Sequence, residues 1–138
     1  MANEWVKVEL FGQNNDGNPV RYTIADGTSV SKGQLLKLSD PRTAIAQTNG
    51  CRVAGVASED HLANVGSTSI ALWTDGIFEV VASLGMLAGD YFGSAGNNNT
   101  VGPVVSGAAI IAASLALVAG RVLEDCDAGE TINVRLRL

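Results

Sequence analysis

The chain has 138 residues, a formal net charge of −5, 46% hydrophobic residues and 17% charged residues. That length suits one domain with one moderate core, and the nine Lys and Arg are scattered along an acidic chain, which excludes a phosphate-tracking nucleic-acid binder. Two cysteines, Cys51 and Cys126, make no disulfide framework and read as small buried thiols.

Residues Met1 to Trp5 precede the first alternating segment and are expected to form an N-terminal arm. They lack the basic-then-apolar order of a signal peptide, so a soluble protein made in a cytoplasm is expected. Val6 to Phe11 alternates, with Val6, Val8 and Leu10 on one face, as a strand with one buried face does. A turn-rich stretch, Asn14 to Pro19, leads into a second alternating segment, Val20 to Ile24, and the two segments are predicted to form a hairpin. Gln34 to Leu38 is a short apolar strand closed by Asp40-Pro41. Arg52 to Ala57 is the next strand, and Glu59 to Val65 is a loop or one helical turn. Ser69 to Trp73 and Ile77 to Val81 flank Thr74-Asp75-Gly76, which predicts a hairpin because glycine supplies the positive φ of such turns. Tyr91 to Gly93 is a short strand, and Gly96-Asn97-Asn98-Asn99-Thr100 is a polar loop expected to be mobile. In Ala108 to Val118 the alanines favour helix, yet the repeat described below makes Leu115 to Val118 strand; a short helix or loop and then a strand is expected. The apolar run Ala108 to Ala119 is shorter than the ~18 residues of a membrane span. Thr131 to Leu138 closes the chain as a strand, with Ile132, Val134, Leu136 and Leu138 inward and Asn133, Arg135 and Arg137 outward.

The chain says nearly the same thing twice. Val53-Ala54-Gly55, Glu59-Asp60 and the segment from Gly66 are echoed by Val118-Ala119-Gly120, Glu124-Asp125 and the segment from Gly129. Upstream, Val30 to Leu36 is echoed by Met86 to Phe92. An all-β fold follows: a small single-domain β-barrel or sandwich over residues 6–138, built from two related β-units with at most short helical turns. Charged content lies below the ~25% of an average domain, so part of the surface is expected to be covered by another chain.

Reactive constellations are sparse. His61 is the single histidine and, beside Glu59 and Asp60, reads as a solvated turn residue, because a zinc site needs three or four converging ligands. Asp125, Asp127 and Glu130 faintly resemble a calcium loop, but the spacing departs from that pattern, leaving at most a weak cation site. No phosphate-binding or dinucleotide glycine motif is present, nor a nucleophile elbow. Paired carboxylates for glycoside hydrolysis leave no sequence signature, but sugar sites usually stack rings on aromatics and only 5% of residues are aromatic, which argues against a glycosidase. No catalytic residue, cofactor or metal is assigned, and a non-enzymatic role is expected. Trp73 is read as core beside the Asp-Gly turn. Trp5 is read either as a partner anchor on the arm or as a cap on this domain's own barrel end.

The ordered series Gly33-Gln34-Leu35-Leu36, Val53 to Ala57, Gly76 to Val80, Gly89 to Phe92 and Ala128 to Leu136 resembles the capsid decoration, or cement, proteins of tailed phages. The resemblance runs from about Thr23 to Leu138. This chain departs from that pattern in a longer insert over Gly93 to Ser114, in Phe92-Gly93 where Tyr-Trp is common, and in its longer N-terminal hairpin. It implies a compact β-barrel that binds the outside of an icosahedral head as a homotrimer and bridges major capsid subunits. Neither nucleic acid nor membrane is among the expected partners. Ala2, Asn3, Glu4 and Trp5 are expected to touch the shell or a neighbouring subunit, and their deletion is expected to leave the fold intact. The alternatives are another virion component, such as a head-fibre base or tail protein, and a carbohydrate-binding adhesion module.

Overall fold

The computed structural model describes residues 3–47, 51–95, 99–104 and 117–138. Among these residues the chain is all-β, as expected, with eleven strands and one short 3-10 turn at Gln13–Asn15. The strands are β1 (Val6–Leu10), β2 (Val20–Thr23), β3 (Leu35–Asp40), β4 (Thr43–Ala46), β5 (Val53–Ala57) and β6 (Ser69–Trp73). There follow β7 (Asp75–Val81), β8 (Tyr91–Ser94), β9 (Val101–Pro103), β10 (Gly120–Val122) and β11 (Thr131–Arg137).

These strands fall into two five-stranded units. The first is a closed barrel ordered β2-β4-β3-β5-β6. The second runs β7-β11-β10-β8-β9, with β1 added on the free edge of β7. Read around the barrel from β2, the first unit is β2-β6-β5-β3-β4, the same path shifted by five strands. A single parallel bridge, Ala82 to Val101, brings β9 back toward β7, as the parallel pair Thr23 and Thr43 joins β2 to β4.

The sequence repeat is thus a repeat of backbone pairing. Val56 opposite Trp73 and Ala57 opposite Leu72 recur as Arg121 opposite Arg135 and Val122 opposite Val134. The bridge between Val30 and His61 recurs between Met86 and Cys126. Asp60 accepts the backbone N–H of Lys32 at 2.7 Å, and Asp125 accepts that of Ala88 at 2.8 Å. Glu59 accepts from Ala71 N, and Glu124 accepts from Asn133 N. The repeated acidic turns are therefore fasteners: each carboxylate satisfies a backbone donor that the strand ladder leaves unpaired. Gly55 and Gly120 are also equivalent. A Cβ on Gly55 would sit 2.7 Å from the carbonyl oxygen of Trp73, and one on Gly120 would overlap that of Arg135.

Two predicted hairpins are not formed. β1 pairs with β7, whereas β2 pairs with β6 and β4. β6 and β7 likewise part company, because the chain crosses at Thr74 from the first unit to the second and Asp75-Gly76 lies inside β7, opposite Arg137 and Leu136. Gly76 is needed there for its φ of 155° and for space, since a Cβ would meet the Glu9 carbonyl at 2.9 Å. β1 has no buried face either: Val6 and Val8 are 51% and 54% exposed, because β1 is an edge strand with a bulge between Lys7 and Glu9. Leu138 is half-exposed rather than inward. Glu59 to Val65 is a loop held by the His61 bridge. Most of Ala108 to Val118 lies outside the described residues; the strand in this region is β10, later than Leu115 to Val118.

The barrel encloses Ile24, Val30, Leu36, Ala44, Ala54, Ala57, Ile70 and Leu72. A larger cluster fills the second unit and the seam, uniting Phe78, Val80, Phe92, Val122 and Val134 with Trp5, Leu35, Val56 and Trp73. The outer wall of the first unit is in this way an inner wall of the second.

Candidate functional site

Trp5 sits in the seam. Its side chain is 2% exposed, with ring centroids 5.6 Å from Phe78 and 6.2 Å from Phe92. Its indole N–H donates to the Asn99 carbonyl at 2.9 Å, and its backbone N–H to Gly33 O at 3.0 Å. This corrects the partner-anchor reading: Trp5 caps its own chain's core, because an indole gains more from a dry pocket with one polar partner than from solvent. The arm is correspondingly shorter than residues 1–5. Asn3 is half-buried, Glu4 is exposed, and Ala2 lies outside the described residues.

Asn99, expected in a mobile loop, is buried instead and belongs to a polar network at the seam. Its Oδ1 accepts from Leu35 N at 3.0 Å, and its N–H donates to Gln47 Oε1 at 2.7 Å. Gln47 Nε2 donates to Ser94 Oγ and Thr100 O. Asn97 and Asn98 lie outside the described residues. Nothing in a run of asparagines distinguishes the one that is buried, so sequence reasoning missed it.

His61 is 3% exposed, not solvated. Its Nδ1 lies 2.6 Å from Thr28 O and its Nε2 2.8 Å from Ser67 O, so the ring ties two loops of the first unit together. Cys126 holds the equivalent position, with its Sγ 3.9 Å from Leu84 O, where Leu84 corresponds to Thr28. Burial pushes the Cys126 thiol above its ordinary range, offset in part by a backbone hydrogen bond from Met86; Glu130, Asp127 and Asp125 raise it further. Among the described residues of this chain, no group of three His, Cys, Asp or Glu is arranged to hold a metal. Asp125 is committed to Ala88 N, and Glu130 accepts from Asp127 N at 3.1 Å.

Two surfaces stand out. The first is the β1 edge, where Val6 and Val8 present apolar area on a strand whose outer side pairs with no other strand among the described residues. The second is a cleft of about 520 Å³ on the outer face of β8, β10 and β11, lined by Tyr91, Val118, Arg121, Leu123, Arg135 and Arg137. Arg121 stacks on the Tyr91 ring at 4.8 Å and donates to its hydroxyl at 2.9 Å. Arg135 stacks on Phe11 at 4.5 Å and lies 3.6 Å from Asp75. Sequence alternation placed Arg135 and Arg137 outward; that Arg121 joins them follows from β10 pairing with β11.

No family model matches this chain, and no curated protein matches it in sequence. Among solved structures it is similar to the head fiber gp8.5 N base of bacteriophage phi29, at 16% identity and a TM-score of 0.52, over 86% of this chain and 92% of that one. At that identity the likeness is one of fold, and it spans both five-stranded units.

Proposed function

We propose that this chain is a non-enzymatic structural component of a bacteriophage virion: a decoration protein that binds the outer surface of the head as a homotrimer and bridges major capsid subunits. The observation that carries this reading is the fold shared, across most of both chains, with a protein described as a head fiber base. The seam supports it: two units locked through one core make a stiff block suited to bearing load between neighbours. A protein that binds only the assembled lattice stabilises it by its binding free energy, and several linked contacts raise avidity. Asn3 and Glu4, with the adjoining β1 edge, form the shell-facing surface. An open edge with exposed valines accepts an extended segment by strand addition.

The test is occupancy. Purified protein added to heads lacking it is expected to appear by cryo-electron microscopy at three-fold positions of the outer shell. Val8→Lys is expected to lower that occupancy about tenfold through the loss of apolar burial and the added charge, with the melting temperature unchanged. Absence of the protein from the shell would defeat the reading. Density at the root of a fibre would favour the second reading, a head-fibre base, the role of the similar phi29 protein.

A further inference from the structure

The internal repeat gives the arginine cleft a meaning. In the first unit Leu35, Val53, Val56 and Trp73 line the outer face, and all four pack into or against the seam core. Their equivalents in the second unit are Tyr91, Val118, Arg121 and Arg135, since Leu35 opposite Val56 recurs as Tyr91 opposite Arg121. One face of a unit used twice is covered in the first copy and, among the described residues, open in the second. The cover in the first copy is apolar, with Phe78 5.8 Å from Trp73. The open face instead presents Arg121, Arg135 and Arg137 with Leu123 at the rim.

Like charges on three guanidiniums repel one another, and among the described residues the one carboxylate in ion-pair reach of them is Asp75, beside Arg135. Arg135 Nε and Asp75 Oδ1 are shielded from water and lack hydrogen-bond partners among the described residues. Stacking on Tyr91 and Phe11 holds two of the arginines ready, which suits paired contacts to carboxylates. The same chain carries a complementary feature. Asp125, Asp127 and Glu130 surround a shallow hollow beside Leu87, which is 65% exposed, and none has a cation within ion-pair reach among the described residues.

We propose that the cleft is the receptor half of a head-to-tail contact between copies of this chain, filled by the acidic turn Asp125–Glu130 of a neighbouring copy. The inference rests on the self-assembly in the function proposed above. Such a contact joins two different faces and closes into a ring when its rotation permits.

The experiment is light scattering of the full chain over a concentration series in low and high salt. The wild-type protein is expected to assemble and to dissociate as salt rises. Arg121→Glu with Arg137→Glu is expected to weaken self-association at least about 30-fold, as loss of a desolvated charge pair does. Asp127→Arg, at an exposed turn, is expected to do the same and carries the test if the cleft variant fails to fold. Because the contact is head-to-tail, all three substitutions in one chain are expected to recover at least about tenfold of the loss. Assembly unchanged by both reversals, or no recovery in the combined chain, overturns the contact alone. A wild-type chain that stays monomeric throughout overturns both the contact and the homotrimer.

Discussion

Trp5 is the residue whose role changes most between sequence and structure. Placed next to the chain start, it reads as an arm; placed against Phe78 and Phe92, it is a wall of the core. Trp5→Ala is expected to cost about 3–5 kcal/mol in urea denaturation, through the cavity and the lost hydrogen bond to the Asn99 carbonyl. Deleting residues 1–5 is expected to cost no less, contrary to the expectation of an intact fold. His61 shows the same lesson on a smaller scale. Its buried ring lies against the carbonyls of Thr28 and Ser67, and His61→Ala is expected to cost roughly 1–3 kcal/mol for the lost hydrogen bonding and the space the ring leaves. Its counterpart Cys126 has a thiol raised by burial, so it stays protonated at neutral pH. A thiol reagent is expected to label Cys126 slowly in the native protein and rapidly in denaturant.

Strands were legible in this sequence where alternation met glycine; their partners were not. Each of β1, β2, β3, β5, β6, β7, β8 and β11 overlaps a segment read as a strand, β1, β2 and β11 by their alternation and the rest by short apolar runs beside turns. β4 and β9 escaped notice because Thr43–Ala46 and Val101–Pro103 are short, lie outside the repeated segments and show no alternation of apolar and polar residues. The hairpins failed for a different reason. Adjacency along the chain is a local property, whereas β6 and β7 separate because each has better partners in its own unit. The repeat was the one long-range signal in the text, and its equivalent glycines explain why it is kept at the level of pairing. Gly120→Ala is expected to destabilise by about 3 kcal/mol, since the added carbon collides with the Arg135 carbonyl and no rotamer relieves a backbone clash. The arginine cleft was only half legible: Arg135 and Arg137 alternate outward in β11, but the approach of Arg121 depends on register.

At the scale of the whole molecule, the two units are not independent domains. Leu35, Val56 and Trp73 belong structurally to the first and energetically to the second. Urea unfolding is expected to be a single transition, with circular dichroism and fluorescence coincident. A fragment ending at Thr74 is expected not to fold, because its outer face would be left bare. Trp5 and Trp73 both lie against Phe78, and the chain has no other indole. Its intrinsic emission is consequently a strain gauge mounted on one joint. Anything that prises the halves apart will redden the spectrum, while a ligand gripping the far side leaves the light untouched.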